Sequence, residues 1–318
     1  MERADLELFE RSLRHATEEH SGDDLDEALD ELGWSDALAD DPRAAVSILF
    51  RLQGEANVTS SALDRVLLPA LGLDVAADAG VVLPPIGRWD AAGEIVDGVV
   101  RLRGVGHRSI AAHASAIAPT LDGVTPLVVV LPVDELSVQP LGGVDPASGL
   151  VEVAGDRGAV ASAPAAVDWE AALALARLAL GHELIGASRR MLEMAREHAL
   201  ERIQFGVPIS SFQAVRHRLA ETLVAIETAE AVLDAAWIDG SPLTAAMAKA
   251  VAGRSARTAS RHCQQVLAGI GFTTEHPFHL YFRRVLVLDG LLGSARSLTR
   301  QLGQDLIASR RLPPLLPL

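Results

Sequence analysis

The sequence predicts a multidomain α+β protein in which helical, β and helical regions follow one another. Helical periodicity runs through residues 1–80, short β-branched runs fill residues 81–163, and strong helical periodicity returns over residues 164–318. A chain of 318 residues, 49% of them hydrophobic, is long enough for more than one core. We therefore expect an N-terminal helical domain (1–80), a middle β domain (81–163) and a C-terminal helical bundle (164–318).

The first region carries apolar residues at helical spacing. Leu6, Phe9 and Leu13 form one such stripe, and a second is formed by Leu25, Leu29 and Leu32. The stripes are interrupted by the acidic turn sequences SGDD and ADDP. This pattern is typical of a small unit of short helices.

The middle region changes to runs rich in valine and isoleucine. Glycine and proline separate the segments VVL, EIVDGVVRLRGV, LVVVLPV and LVEVAGD. Such runs, bounded by turn residues, predict strands of a compact β domain.

The third region returns to long helices, and its pattern continues almost to the C-terminal PPLLPL. Within it, one extended helical stripe is formed by Phe212, Val215, Leu219, Leu223, Ile226, Leu233 and Trp237. A stripe of this kind predicts an amphipathic helix that packs in a bundle.

Charge and cysteine content exclude several classes of protein. The 28 basic and 42 acidic residues leave a formal charge of −14 with no basic block, which argues against nucleic acid and anionic membrane surfaces. The apolar run 127–131 is too short to span a bilayer and the N-terminus is charged, so we expect a soluble, cytoplasmic protein. The single cysteine, Cys263, allows no intrachain disulfide, and we expect it to be a small buried residue.

The histidines indicate no metal site. His107, His113, His276 and His279 have no recognised ligand spacing, and we expect them to be structural residues with satisfied hydrogen bonds.

The segment ERIQFGVPISSFQ, residues 201–213, interrupts two helical patterns. Gly206 is expected to end the first helix, Pro208 to prevent its continuation, and Ser210 or Ser211 to cap the second. Because this break requires neither Arg202 nor Phe205, both are candidate functional residues. The structural alternative for such an arginine is a solvated charge at a helix end.

Together with QQVLAGIGFTTEHPFHLYFRR at residues 264–284, that segment resembles the acyl-CoA dehydrogenase family. At the level of motifs the resemblance covers residues from about 185 to 296, and at the level of domain order it covers the whole chain. It implies an FAD-dependent flavoprotein fold with a helical N-terminal domain, a middle β domain and a C-terminal four-helix bundle.

The resemblance implies cofactor contacts for five residues. Arg202 and Phe205, with Gln204 beside them, would reach across a subunit interface to FAD held by a neighbouring chain. Gln265 and the backbone at Gly269 would approach the same dinucleotide. A guanidinium presents a fork of donors to phosphate oxygens, and a residue without Cβ permits close backbone approach. One departure is Ala268, which stands where the family usually has a glycine.

The residue that usually removes the α-proton of the substrate is missing. Ungapped alignment to the family's Y-E-G-T type segment places Leu292 at the position of the catalytic glutamate, and leucine cannot accept a proton. Some family members carry the base on a bundle helix, where this chain offers Glu221, Glu227, Glu230 and Asp234. These carboxylates are equally compatible with a solvated helix face, and the sequence does not choose among them.

The middle region also departs from the family. Segments 81–98 and 100–115 replace those that hold and cover the flavin ring. The chain thus resembles the shortened partner subunits of heteromeric α2β2 acyl-CoA dehydrogenases that actinobacteria use in steroid catabolism. That resemblance implies a longer acyl-CoA dehydrogenase partner, FAD at their interface, a steroid-derived CoA thioester as substrate and electron-transfer flavoprotein as acceptor. Two alternatives stay open, which are a non-enzymatic stabilising subunit and a homo-oligomeric dehydrogenase with a helix carboxylate as base.

Overall fold

A computed structural model describes residues 3–72, 78–158 and 168–310 of the chain. Its N-terminal part is helical, as the leucine spacing predicts. Asp41 accepts a hydrogen bond from the Ala44 amide at 3.0 Å, and Pro42 occupies the first turn, so the helix that starts at Pro42 begins with a conventional cap. The helices are α1 (Arg3–Glu19), α2 (Asp23–Glu31), α3 (Trp34–Asp40), α4 (Pro42–Ala56) and α5 (Ala62–Ala70).

These five helices enclose a core of their own. Leu13, Leu25 and Leu29 from the predicted stripes are fully buried there beside Trp34. Leu32 is an exception, because it follows the end of α2 and is exposed.

The middle part is a mixed sheet. Its strands are β1 (Ala79–Val81), β2 (Gly93–Val96), β3 (Val99–His107), β4 (Ser115–Asp122), β5 (Thr125–Pro132), β6 (Ser137–Pro140) and β7 (Leu150–Gly158). The strand order is β1-β4-β2-β3-β7-β6, with β5 paired to β4. The predicted run EIVDGVVRLRGV forms the β2–β3 hairpin, in which Asp97 and Gly98 both adopt positive φ as a two-residue turn requires.

The C-terminal part is a bundle of long helices. The helices are α6 (Trp169–Glu201), α7 (Gln213–Asp239), α8 (Pro242–Leu267), α9 (Phe278–Gly290) and α10 (Ala295–Ser309), and a short hairpin, β8 (Ile203–Gln204) and β9 (Val207–Pro208), follows α6. Helix α8 packs against the other four. Cys263 is buried within it, as predicted.

Helices α4 and α6 touch backbone to backbone. A Cβ placed on Gly54 would lie 2.1 Å from the Glu183 carbonyl oxygen, and one on Gly186 would lie 1.9 Å from that of Arg51. Glycine is required at both positions because any side chain would force the helices apart. This crossing joins the N-terminal helices to the bundle.

The structure corrects two local predictions around residues 201–213 and one detail of the apolar stripe on α7. Gly206 does not end α6, which stops at Glu201, and neither Ser210 nor Ser211 caps α7, whose first residue is Gln213. The stripe on α7 is only partly buried, because Leu223 is exposed while Ile226 and Leu233 are fully enclosed.

The exact domain bounds stay a prediction, since the boundary at 163/164 lies outside the described residues. In the described ranges, no helix is both long and apolar enough to cross a membrane.

Candidate functional site

Arg202 and Phe205 lie on the surface hairpin that replaces the predicted simple break. The Arg202 amide donates to the His198 carbonyl at 2.9 Å, and its own carbonyl accepts from the Ile209 amide at 2.8 Å. Phe205 and Gly206 form the turn with φ of 52° and 81°. The sequence signal was misread as a helix stop because a glycine after a helix serves a C-cap and a hairpin turn equally well.

The hairpin presents its side chains outward. Phe205 is 92% exposed, and its ring meets the edge of the Phe212 ring at 6.2 Å between ring centroids. Arg202 and Gln204 are exposed as well. In the described part of the chain, no ion pair neutralises the Arg202 guanidinium, so its donors are available to an external anion.

Gln265 and Gly269 lie together at the C-terminal end of α8. Both are exposed, and no atom lies within 4 Å of the place where a Cβ on Gly269 would sit. Ala268 between them has φ 50° and ψ −131°, a conformation that glycine adopts readily and alanine only with strain. The backbone here thus has the shape of a glycine turn although the residue is alanine.

The two motifs approach the same end of α6 without touching directly. Burial is the main cause of the lowered pKa of His276, which lies in the segment after the Gly269 turn. The charge of His198, one turn before Arg202, lowers it further, so the two segments lie near each other. Across the described residues, no hydrogen bond or ion pair links Arg202 or Phe205 to Gln265 or Gly269. They are two separate exposed surfaces.

Leu292, at the position of the family's base, is fully buried between α9 and α10. Its φ of 54° is unusual for a leucine, and its carbonyl accepts a hydrogen bond from Arg177 Nε at 3.2 Å. Arg177 is only 4% exposed, and burial lowers its pKa to about 10. A buried cation therefore fixes the backbone at this position.

A second buried cation holds the end of α9. Lys249 Nζ donates to the carbonyls of Leu288 at 2.9 Å and Asp289 at 3.1 Å. Burial lowers the pKa of Lys249 to about 8, and the nearby Asp289 carboxylate opposes that shift. Asp289 Oδ1 also accepts from the Ala295 amide at 2.9 Å, at the first residue of α10, whose N-cap is Ser294. The loop that contains Leu292 is thus anchored on both sides.

Next to this loop, a cavity of about 60 Å³ lies among α4, α5, the sheet, α6 and α9. Ligand pockets usually measure roughly 300–1,000 Å³, so neither a flavin ring nor an acyl chain fits. Asp64, His107 and Glu183 line it together with Arg284 and with apolar residues of the three regions. All three are buried.

Burial strongly perturbs these groups. It raises the pKa of Asp64 to about 7. It also raises that of Glu183 to about 7, against the opposing charges of Arg284 and Lys249. The pKa of His107 falls to about 4, again chiefly through burial. Sequence reasoning missed the two carboxyl groups and the buried cations; the available signal was a lone charge inside an apolar helical run, as in ALALARLALGHEL.

The expectation of satisfied histidines is wrong for His107. Its Nδ1 accepts from the Ser109 amide and contacts Ser109 Oγ at 2.8 Å, but Nε2 is buried and, among the described residues, has no partner. The other three each have a hydrogen-bonded Nδ1: His113 with Asp78, His276 with the Phe278 amide, and His279 with the His276 carbonyl.

The four α7 carboxylates considered as bases do not line the cavity. Arg189 donates hydrogen bonds to Glu227 at 2.9 Å and to Glu230, and Arg43 donates one to Asp234 at 2.8 Å. The fourth, Glu221, lies 3.9 Å from His262 Nε2. Three of the four thus belong to charge pairs between elements.

Residues 168–307 match the family described as Acyl-CoA dehydrogenase, C-terminal domain. The chain is 41% identical over 130 residues to acyl-CoA dehydrogenase IpdE2 of Mycobacterium tuberculosis, an alignment that covers 41% of each protein. The matched segment therefore spans less than half the length of that curated relative.

Solved structures match over nearly the whole chain. The ChsE4-ChsE5 complex from Mycobacterium tuberculosis gives a TM-score of 0.77 at 20% identity, covering 98% of both chains. The Tcur3481-Tcur3483 steroid ACAD G363A variant gives 0.76 at 22% identity, covering 96% of this chain and 98% of that one. These likenesses bear out the predicted fold class. Residues 168–307 therefore match the C-terminal domain of acyl-CoA dehydrogenases, and the described chain has the acyl-CoA dehydrogenase fold.

Proposed function

We propose that this chain is a subunit of a heteromeric, FAD-dependent acyl-CoA dehydrogenase, in which it contacts FAD held mainly by a longer partner chain. The observation that carries the proposal is an asymmetry. The residues that would face a neighbour's cofactor are exposed and available, whereas the buried cavity beside Leu292, the position of the family's base, measures about 60 Å³.

The outward-facing residues fit the diphosphate of a dinucleotide. Arg202 offers guanidinium donors that no carboxylate of the described residues pairs with, and the open backbone at Gly269 allows close approach of main-chain N–H groups. Phe205 supplies an exposed ring, and Gln204 and Gln265 supply amide groups. In this arrangement Arg202 and Gly269 bind phosphate oxygens and Phe205 shields the cofactor from water.

The interior does not fit a flavin ring. Leu292 has no proton-accepting group, its backbone is fixed by Arg177, and the adjacent cavity is too small. When bound, FAD supplies the hydride acceptor for oxidation of a CoA thioester between Cα and Cβ. This chain's contribution is to bind and orient that cofactor, while the proton-accepting carboxylate belongs to the partner.

The names of the structural relatives support the finer parts of the proposal. One is a complex of two chains, ChsE4 and ChsE5, and the other is named as a steroid ACAD. We therefore propose an α2β2 assembly, a steroid-derived CoA thioester as substrate and an electron-transfer flavoprotein as electron acceptor. Its cytoplasmic location stays a prediction from the sequence.

The proposal is tested by co-expressing the chain with candidate partners, removing the flavin and titrating FAD back. Arg202→Ala should weaken FAD affinity roughly 10- to 100-fold, because a charge-assisted bond to phosphate is lost. Lysine should restore only part of the affinity, since it keeps the charge and loses the fork. Arg11→Ala, which removes an exposed arginine from α1, is the matched control.

Three outcomes would contradict the proposal. Unchanged FAD affinity in the Arg202→Ala complex would leave Arg202 as a helix-end charge. A yellow, active protein obtained without a partner would establish the homo-oligomeric alternative. If the partner chain bound FAD and oxidised substrate equally well in the absence of this chain, this chain would be only a stabilising subunit.

A further inference from the structure

The β8–β9 hairpin, which carries Arg202 and Phe205, has little structure of its own to fix its direction. All residues from 202 to 208 are exposed, and the two strands are joined by two residue pairs, Ile203 with Pro208 and Gln204 with Val207. An isolated two-stranded hairpin is marginally stable at best in water. The orientation of this hairpin must therefore be set by contacts outside its two strands.

One such contact comes from the first turn of α7. Arg216 Nε donates a hydrogen bond to the Ser210 carbonyl at 2.7 Å. Ser210 lies two residues after β9, so this bond ties the returning strand of the hairpin to a bundle helix of 27 residues. Between them, Ile209 packs against the main core, and its amide donates to the Arg202 carbonyl at 2.8 Å. The bond from Arg216 is charge-assisted, and bonds of that kind are stronger than neutral ones.

The second contact is aromatic. Phe212, the half-buried residue directly before α7, meets the Phe205 ring at an interplanar angle of 85°. Aromatic pairs favour this T-shaped arrangement. Phe205 adopts φ 52°, a left-handed conformation that is strained in a residue with a side chain and persists when the surroundings fix it. The Phe212 ring belongs to those surroundings.

We propose that Arg216 and Phe212 are positioning residues, which hold the hairpin in the orientation in which Arg202 and Phe205 meet FAD. This inference rests on the proposed function and assigns neither residue a contact with the cofactor. Its physical basis is preorganisation, because a hairpin that already has its binding orientation loses less conformational freedom when FAD binds. Removing either contact lowers the fraction of complexes that are competent to bind, and the apparent affinity falls with that fraction.

A positioning role has a kinetic signature that differs from that of direct contact. A smaller competent fraction slows the association of FAD, whereas bound FAD still leaves at the parent's rate. Loss of a direct contact mainly speeds dissociation. Arg216→Ala and Phe212→Leu should therefore each lower the association rate constant about three- to tenfold, as expected for one hydrogen bond or one aromatic pair. Arg202→Ala should instead raise the dissociation rate constant.

The experiment is stopped-flow mixing of FAD with the flavin-stripped, co-purified complex, followed by flavin fluorescence. Arg216→Lys should recover part of the lost association rate, because an ammonium group can still donate to the Ser210 carbonyl. Arg218→Ala, which removes another exposed arginine of α7, is the matched control and should change neither rate constant. Since Arg216 is exposed, its side chain can be removed without opening the core, and its variants test the proposal even if Phe212→Leu fails to fold.

Two results would overturn the positioning role and leave the proposed function intact. One is an unchanged association rate in Arg216→Ala while Arg202→Ala still weakens FAD binding. The other is a faster dissociation of FAD from Arg216→Ala with unchanged association, which would make Arg216 a direct contact. Unchanged FAD affinity in Arg202→Ala would instead overturn the proposed function, and this inference with it.

Discussion

Replacing Glu183 by glutamine should stabilise the protein, and increasingly so as the pH rises. Burial raises the pKa of this carboxyl group from 4.5 to about 7. A carboxyl group whose pKa is higher in the folded state favours folding least at high pH, where the folded protein must hold a buried charge. Its unfavourable contribution is absent well below pH 4.5 and is fully developed above about pH 7.

The magnitude follows from the two pKa values. A shift of one unit corresponds to about 1.36 kcal/mol, so the difference between 4.5 and about 7 corresponds to about 3 kcal/mol above neutrality. At pH 5 most of the carboxyl groups in the folded protein are protonated, and the cost is about 1 kcal/mol. Glutamine keeps the shape and cannot ionise, so the stability gap between variant and parent should widen by about 2 kcal/mol from pH 5 to pH 8.

The assay is denaturant unfolding of the co-purified complex at a series of pH values. Glu27→Gln, at an exposed position of α2, is the matched control and should give a curve parallel to the parent. Parallel curves for Glu183→Gln as well would show that the carboxylate is stabilised in place by partners or water, and would refute the reasoning from burial.

Three further substitutions test the backbone and the buried charges. Ala268→Gly should raise the unfolding free energy by about 1 kcal/mol, because it relieves the backbone strain of alanine at φ 50° and ψ −131°. Denaturant unfolding midpoints measure this, and no gain in stability would contradict it. Asp289→Asn should cost about 1.5–3 kcal/mol, because it removes the carboxylate charge that accepts from exposed Arg257 and faces buried Lys249. No measurable loss in the same assay would contradict this. Gly186→Ala should abolish folding, since its Cβ would lie 1.9 Å from the Arg51 carbonyl oxygen; normal yield and helical circular dichroism would show that the helices can separate.

Much of the fold could be predicted because local patterns agreed with the tertiary structure. Leu13, Leu25 and Leu29 lie at helical spacing and are buried, and DG at 97–98 forms the hairpin turn between two β-branched runs. The hairpin within residues 201–213 was harder to predict, because glycine and proline are found both at helix ends and in hairpin turns. On α7 the apolar spacing predicted burial, but exposed Leu223 shows that periodicity alone does not reveal which side a neighbour covers.

The exposed half of the candidate site was accessible from the sequence, but the buried half was not. Arg202 and Phe205 stand in a recognisable motif, and the structure places both on the surface. The environment of Glu183 depends instead on Arg284 and Lys249, which are about 100 and 66 residues away along the chain. No local pattern encodes a pKa that is set by burial among distant segments.

The crossing of α4 and α6 at Gly54 and Gly186 has a consequence for how the protein unfolds. With backbone in contact with backbone, the N-terminal helices share an inner surface with the bundle, and neither can open without exposing the other's apolar residues to water. We therefore expect residues 3–70 and the bundle to lose structure in one cooperative transition, with matching hydrogen-exchange protection in α4 and α6. Because of this coupling, α4 and α6 should move as one rigid unit. A displacement of the N-terminal helices should therefore be transmitted to the far end of α6.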